Sequence, residues 1–290
     1  MAEAMRGADE PAADGPGSEE LPWGGRSLRQ AVLTAVVLLA LVAVCAYLGT
    51  TAFFVLVCAV VLTALFEYYD AIVQAGGRPS VLLGMLAGFG MLLAAYFERP
   101  AILAVVVAVT MYGAFVLALR PERGSSAPTD VAWTLLGVAW IGGGGAGATS
   151  ILMIDDSGLF LLIGYVLVTA IDDIGAYFVG VSFGKHKMAP SISPGKSWEG
   201  FLGGMAAALA AGLAFGALTD DLTLVDGLAL GAISSLLAPV GDLVESMFKR
   251  EMGIKDSGRL LPGHGGLLDR LDAIVFCAPA AYLYIRFIAL

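Results

Sequence analysis

The residues of this chain best suited to chemistry lie in one polar segment near the C-terminus, at residues 246–272. The segment reads SMFKREMGIKDSGRLLPGHGGLLDRLD and lies between two apolar stretches. It contains five of the sixteen Lys and Arg residues and one of the two His residues. Ionisable groups at the edge of a bilayer are costly to desolvate, so this concentration of charge indicates a site of chemistry.

The apolar stretch before this segment ends in polar residues that belong together on a helix. Their spacing of i, i+3, i+4 and i+7 places them on one helical face: Asp242, Glu245, Ser246 and Lys249. Two carboxylates followed by basic residues suit a site for a cation and a phosphate. A solvated helix end is the alternative interpretation for Glu245 and Arg250. Asp242 lies deeper, beside Pro239 and Gly241, where we expect the helix to be loosened and approachable.

A glycine-rich loop follows, reading KDSGRLLPGHGG at residues 255–266. Glycines let backbone N–H groups converge on an anion, and Lys255 and Arg259 would add charge-assisted donors to phosphate oxygens. The next apolar stretch begins with Asp269 and Asp272, which at i and i+3 face roughly the same way on a helix. Capping of that helix explains one of these carboxylates adequately and two poorly. Hard oxygen ligands close to phosphate oxygens instead favour Mg²⁺.

A second polar segment occupies residues 170–204, at the end of another apolar stretch. Asp172 and Asp173 are adjacent inside an apolar span, so at least one of them is expected to face a polar cavity. Four basic residues follow as candidate phosphate ligands: Lys185, His186, Lys187 and Lys196. For Lys185 and Lys187, a role in membrane topology alone is an equal alternative. Trp198 is interpreted as an interfacial anchor.

The elements that must position these residues are membrane helices. The chain is 58% hydrophobic and 14% charged, with a mean hydropathy of +0.84, whereas soluble proteins average about 25% charged residues. Apolar stretches recur that are long enough to cross the ~30 Å hydrocarbon core as helices. Nine spans are expected, at about 30–48, 50–66, 80–97, 101–119, 130–149, 157–179, 199–218, 223–245 and 269–289. The sequence therefore predicts an all-α, polytopic integral membrane protein with no separate soluble domain.

The distribution of basic residues predicts the orientation of these spans. Fourteen of the sixteen Lys and Arg residues fall on one side, and Arg99 and Arg286 fall on the other. Because basic short loops stay cytoplasmic, we expect the N-terminus and both polar segments in the cytosol. Three regions follow: a disordered, acidic cytosolic tail at 1–22, N-terminal transmembrane helices at 23–150, and a catalytic transmembrane region at 151–290. The catalytic region is expected to carry cytosolic loops at 180–198 and 246–268.

The polar segment resembles the C-terminal motif of the CDP-diacylglycerol synthases, also called phosphatidate cytidylyltransferases. The matching positions are Ser246, Lys249, Arg250, Lys255, Asp256, Gly258, Pro262, His264, Gly265, Gly266, Asp269, Arg270 and Asp272. Segments 173–178, 183–185, 192–194 and 198–200 are similar to an earlier block of the same family. The resemblance covers roughly residues 165–290, whereas the N-terminal spans agree only in being apolar. One departure is Gly195, where the family often has Lys.

The resemblance implies that CTP and phosphatidic acid react to give CDP-diacylglycerol and pyrophosphate, with Mg²⁺ as cofactor and Asp242 and Asp269 as its ligands. The catalytic residues that it implies are Asp242, Asp269, Lys249, Arg250, Lys255 and Asp256. The substrate-binding residues that it implies are Asp173, Lys185, Lys196, Ser197, Ser246, Arg259, His264, Gly265, Gly266 and Arg270. Among these, Lys249, Arg250, Lys255, Arg259 and Arg270 are expected to hold phosphates.

The expected partners are CTP, phosphatidic acid and the lipid bilayer, with no nucleic acid, and a homodimer is an open alternative to a monomer. The expected location is the cell (inner) membrane, as a multi-pass protein with a cytosolic active site. Two other functions remain as alternatives. One is a nucleotidyl- or phosphotransferase acting on a polyprenol or another lipid. The other is a cation-coupled transporter, which would also use carboxylates within spans but places its site near the midplane.

Overall fold

The computed structural model describes residues 28–119, 126–258 and 265–290. The α-helices in these ranges are α1 Leu28–Leu48, α2 Thr50–Gln74, α3 Val81–Tyr96, α4 Pro100–Ala118, α5 Ala127–Gly137, α6 Gly143–Leu152, α7 Gly158–Phe183, α8 Trp198–Ala217, α9 Leu224–Glu251 and α10 Leu268–Tyr284. Two strands, β1 Lys187–Ala189 and β2 Ser193–Ser197, pair antiparallel as a short hairpin between α7 and α8. The predicted acidic tail at 1–22 lies outside the described residues.

The helices correspond to the nine predicted spans. The π-helical turn Val138–Gly142 joins α5 to α6, so that these two helices form one stretch, Ala127–Leu152. Among the described residues, seven helical stretches are long and apolar enough to cross a membrane, and the apolar helices Leu33–Leu48 and Val81–Tyr96 are shorter. Helices satisfy their own backbone hydrogen bonds, which the hydrocarbon cannot do for them. The prediction of an all-α, polytopic membrane protein is confirmed.

Close contacts between small residues hold the C-terminal helices together. A Cβ added at Gly231 of α9 would lie 2.5 Å from the carbonyl oxygen of Ala208 on α8. A Cβ at Gly241 would lie 2.8 Å from the carbonyl oxygen of Asp272 on α10. Small residues let helix backbones approach in lipid, where van der Waals packing drives association. The polar ends of α8, α9 and α10 are therefore held in a tight group.

An aromatic cluster joins the N-terminal helices to the polar end of α9. The ring of Tyr68 on α2 stacks on Phe248 of α9 with centroids 4.7 Å apart. Its hydroxyl donates to the carbonyl of Trp133 at 3.1 Å, and the Tyr69 hydroxyl donates to the carbonyl of Thr134 at 2.8 Å. Buried tyrosine hydroxyls need such partners. Helices α2 and α5 thus brace the segment of α9 that carries the polar residues.

Helices α7 and α9 both continue past the ends of their apolar stretches. α9 extends to Glu251, so that Ser246 and Lys249 lie on its last turns rather than in the loop predicted at 246–268. α7 likewise extends to Phe183, inside the loop predicted at 180–198. Hydropathy marks the thickness of the bilayer, whereas a helix ends only where its backbone hydrogen bonding ends. The predicted site residues Ser246 and Lys249 consequently lie on the end of a helix.

Candidate active site

Two adjoining cavities open at the polar end of α7, α9 and α10. The first, which we call the acidic cavity, has a volume of about 330 Å³ and is lined by Asp173, Asp242, Glu245, Lys249, Asp256, Asp269, Arg270 and Asp272. The second, the hairpin cavity, has a volume of about 610 Å³ and lies between α7, α8 and the β1–β2 hairpin. Asp173 and Asp242 line both cavities. A group in one cavity can therefore meet a group in the other at these two carboxylates.

Three carboxylates converge in the acidic cavity. One oxygen each of Asp242, Glu245 and Asp272 lies within 4.8 Å of the others. Glu245 is only 2% exposed, and its Oε1 accepts no hydrogen bond from the described part of the chain. Carboxylates this close repel one another unless a cation lies between them or one of them holds a proton. The oxygen donors and the unpaired Glu245 oxygen fit a hard divalent cation such as Mg²⁺.

Asp269, which the resemblance assigns to the metal, is engaged by the protein itself. Its Oδ1 accepts from Lys249 Nζ at 2.9 Å. Its Oδ2 accepts from the backbone N–H groups of Ser257 at 3.0 Å and Gly266 at 2.9 Å. Lys249 Nζ also lies 2.7 Å from Glu245 Oε2. Asp269 therefore lies in the predicted cavity, but Glu245 and Asp272 are the carboxylates that converge with Asp242.

Backbone N–H groups of the glycine-rich loop donate to Asp269, whereas the sequence predicted that such groups bind a phosphate. Gly265 has a φ of 83°, in the left-handed region that favours glycine. A Cβ at Gly266 would lie 2.6 Å from the amide nitrogen of Gly258, so that a side chain there would separate the two ends of the loop. The predicted residues Arg259 and His264 lie outside the described residues.

Lys196 connects the hairpin to α9 where the two cavities meet. Its Nζ lies 2.8 Å from Asp242 Oδ2 and donates to the carbonyl oxygen of Pro239 at 3.1 Å. Ser246 Oγ donates to Asp242 Oδ1 at 3.2 Å. α9 continues through Pro239, whose carbonyl oxygen is approached by Lys196, and Gly241 beside it lets α10 approach. Asp242 is thus contacted by Lys196 of the hairpin and by Ser246 of its own helix.

The base of the hairpin is fixed by hydrogen bonds to α8. Ser197 Oγ accepts from the Gly200 N–H at 3.2 Å and caps α8, while Ser197 also lines the hairpin cavity. Glu199 Oε1 lies 2.6 Å from His186 Nδ1, and its Oε2 accepts from the Lys185 N–H at 3.1 Å. Three of the predicted site residues that the structure describes do not line either cavity: Lys185, Arg250 and Lys255. Lys187 and both Asp172 and Asp173 do line the hairpin cavity.

Glu67 of α2 is a residue at this site that the sequence analysis missed. It is 6% exposed, and its Oε2 accepts from the Leu268 N–H, at the start of α10, at 2.9 Å. The one signal in the sequence is an acidic residue directly after the apolar span predicted at 50–66. Nothing in the spacing connects it to α10, which follows 201 residues later.

The charge of the acidic cavity determines what it can bind. Its described lining contains six acidic residues and two basic ones, Lys249 and Arg270. A phosphate compound alone would be repelled by this surplus of negative charge, whereas a phosphate that carries a divalent cation would not. The arrangement suits a cation that bridges protein carboxylates and phosphate oxygens.

Fold and site together define a polytopic membrane protein with an acidic cavity at the polar end of its helices. The family model described as "Cytidylyltransferase family" matches residues 29–288. The chain therefore belongs to the cytidylyltransferase family. The match includes the N-terminal helices, which the motif resemblance did not reach.

Several curated relatives share the name phosphatidate cytidylyltransferase. The one from Haemophilus influenzae is 45% identical over 133 residues, 44% of this chain and 46% of the relative. The one from Mycobacterium tuberculosis H37Rv is 52% identical over 111 residues, 38% of this chain and 34% of the relative. The one from Staphylococcus aureus COL is 42% identical over 151 residues, 52% of this chain and 57% of the relative. The aligned part thus spans between about a third and just over half of these relatives.

Proposed function

We propose that the protein is a phosphatidate cytidylyltransferase, which joins CTP and phosphatidic acid to give CDP-diacylglycerol and pyrophosphate, with Mg²⁺ as cofactor. The observation that supports this most directly is the pair of adjoining cavities of different character. The acidic cavity suits a cation-bound polyphosphate, the hairpin cavity suits a lipid phosphate, and Asp173 and Asp242 line both. Names of relatives with 42–52% identity agree with this function.

The hairpin cavity has the features that a lipid phosphate requires. Its lining combines apolar side chains such as Tyr177 and Val181 with the basic residues Lys187 and Lys196. Tyr177 is 58% exposed and Val181 is 71% exposed on an apolar helix, where they would face acyl chains. A phosphatidic acid molecule could keep its chains in the bilayer and place its phosphate beside Lys196. This geometry favours a lipid substrate over a soluble one.

In the proposed reaction, an oxygen of the phosphatidic acid phosphate attacks the α-phosphorus of CTP. The bond from that phosphorus to the oxygen bridging it to the β-phosphate breaks, and its electron pair leaves with pyrophosphate. A phosphate monoester is largely dianionic near neutral pH, so the attacking oxygen needs positioning rather than deprotonation. Lys249 and Arg270 would neutralise charge on the leaving phosphates. When bound by Asp242, Glu245 and Asp272, Mg²⁺ would supply further neutralisation of the phosphate oxygens.

We further propose that the cavities face the cytosol of a cell membrane, where CTP is available. Fourteen of sixteen Lys and Arg residues on the side of the cavities support this orientation. Accessibility labelling of single cysteines placed at Ser191, in the hairpin turn, and at Asp156, between α6 and α7, tests it. Labelling of the Asp156 position alone from the cytosolic side would contradict the orientation.

One experiment tests the activity. Purified protein in detergent is given labelled CTP, phosphatidic acid and Mg²⁺, and label in the lipid fraction is counted. We expect label in the wild type, a loss of at least about 100-fold in Asp242→Asn and Asp272→Asn, and no loss in Asp156→Asn, an exposed residue at the opposite end. No lipid label in the wild type, or full activity in both site variants, refutes the proposal. Polyprenyl phosphate in place of phosphatidic acid tests the alternative lipid substrate.

A further inference from the structure

We propose that Glu67 is a positioning residue for this site. On this proposal, a residue of the N-terminal helices fixes the first turn of α10, so that Asp269 and Asp272 keep their places in the acidic cavity. The effect on catalysis rests on the proposed function, whereas the effect on α10 does not. Three features of Glu67 support the proposal: a hydrogen bond, a buried oxygen that has no hydrogen-bond partner among the described residues, and a contact with the glycine-rich loop.

The hydrogen bond supplies a helix cap from a distant part of the chain. The first N–H groups of a helix have no partner within the helix, and a side-chain oxygen normally accepts one of them. The residue before α10 is Leu267, whose side chain has no acceptor. Glu67 Oε2 accepts from the Leu268 N–H at 2.9 Å instead. A carboxylate at this position is also favoured by the positive end of the helix dipole.

The second carboxylate oxygen of Glu67 indicates that burial of this side chain is energetically unfavourable. Glu67 is 6% exposed, and its Oε1 accepts no hydrogen bond from the residues that the structure describes. Burial of a charged group is unfavourable unless its interactions compensate. An apolar residue would pack in α2 without this penalty, so the interaction with α10 is the described contact that accounts for a glutamate at this position.

Glu67 also contacts the far end of the glycine-rich loop. A Cβ added at Gly258 would collide with Glu67 Oε1, so the loop backbone passes directly over the carboxylate. Ser257, one residue earlier, donates its N–H to Asp269 Oδ2. Glu67 therefore contacts the chain at two points: at Gly258, directly after Ser257, and at Leu268, where α10 begins. One side chain from α2 fixes both ends of the segment that surrounds Asp269.

The test uses Glu67→Ala and Glu67→Gln, with Asp70→Asn as the matched control. Asp70 is an exposed acidic residue on the same helix, hydrogen-bonded to Gln74. Alanine leaves the Leu268 N–H without its partner. Glutamine keeps an oxygen acceptor of the same shape and loses the charge, so Glu67→Gln should restore part of the hydrogen bond to Leu268. It also allows the measurement if Glu67→Ala does not fold. Loss of a helix cap changes an equilibrium constant by roughly 2- to 30-fold.

The first readout is amide hydrogen exchange of a peptide spanning residues 265–275, which does not depend on catalysis. We expect exchange of the Leu268 amide to be about 10-fold faster in Glu67→Ala, less affected in Glu67→Gln, and unchanged in Asp70→Asn. The second readout is kinetic. The half-saturating Mg²⁺ concentration should rise about fivefold in Glu67→Ala, while the KM for phosphatidic acid, set in the hairpin cavity, changes less than twofold.

Two outcomes overturn the proposal. The first is exchange at Leu268 and half-saturating Mg²⁺ equal to the wild type in both variants. The second is a fall in maximal rate that only follows the fraction of folded protein, with Mg²⁺ dependence unchanged. If the wild type shows no cytidylyl transfer, the proposed function fails, and the exchange measurement still decides whether Glu67 fixes α10.

Discussion

Lys249 is the residue whose replacement gives the sharpest test of how the acidic cavity is stabilised. Its Nζ lies 2.7 Å from Glu245 Oε2 and 2.9 Å from Asp269 Oδ1, so one ammonium group bridges two carboxylates. The side chain of Glu245 is 3% exposed and that of Asp269 is 10% exposed. Replacement of Lys249 by Met keeps the length of the side chain and removes the charge. The two carboxylates then face each other with little water to screen them.

The magnitude follows from this burial. Removal of one partner from a buried ion pair costs about 3–5 kcal/mol, because it leaves an uncompensated charge. Lys249 itself is 19% exposed, so some water can enter in its place and the lower end applies. We expect Lys249→Met to reduce the free energy of unfolding by about 3 kcal/mol. At roughly 2 °C per kcal/mol for a chain of this size, the thermal midpoint should fall by about 6 °C.

The assay is thermal unfolding in detergent at a fixed scan rate, with and without Mg²⁺. Mg²⁺ should raise the midpoint of Lys249→Met more than that of the wild type, because a cation then replaces the missing ammonium group. Lys185→Met, which removes an exposed lysine between α7 and the hairpin, is the control and should change stability by less than about 0.5 kcal/mol. A midpoint in Lys249→Met equal to that of the control would refute the electrostatic account. So would equal responses of the variant and the wild type to Mg²⁺.

Two further predictions concern the loop and the hairpin. In Gly266→Ala the new Cβ would lie 2.6 Å from the Gly258 nitrogen, so we expect this variant to lose most of its activity. In the control Gly195→Ala the Cβ would meet no described atom within 4 Å, so we expect this variant to keep its activity. Equal activity of these two variants would contradict the packing of the loop. Ser197→Ala removes the cap of α8 and should lower stability by about 1 kcal/mol, measured by thermal unfolding, and Ser197→Thr should restore most of it. A Thr variant no more stable than the Ala variant would show that the cap is not the cause.

The sequence was sufficient to predict the helices and the grouping of acidic residues at their polar end. Each span must satisfy its backbone hydrogen bonds within itself, so a long apolar stretch has one stable structure in lipid. The spacing of Asp242, Glu245 and Lys249 correctly placed them on one face of α9, because that spacing is a local property of a helix. The hairpin between α7 and α8 was not predicted. Its strands are three and five residues long, and tertiary contacts such as that of Lys196 with Pro239 hold them.

Spacing alone could not show which carboxylate of α10 converges with Asp242. Asp269 and Asp272 differ by three residues, so each is compatible with a position on the cavity side of α10. What distinguishes them is the loop: the N–H groups of Ser257 and Gly266 engage Asp269, and Asp272 remains to converge with Asp242. The contact of Glu67 was equally inaccessible, because it joins residues 201 positions apart and depends on how α2 packs beside α10.

Contacts from outside the glycine-rich loop hold the start of α10. Glycine loses more conformational entropy on folding than other residues do, and the sequence before α10 has glycines at 258, 263, 265 and 266. Lys249 and Glu67 supply contacts from two different helices, one to Asp269 and one to the neighbouring Leu268 amide. Both contacts hold the first residues of α10, the helix that also carries Asp272. A site of this kind is a product of the packed helices as a group, and the polar segment by itself would not form it.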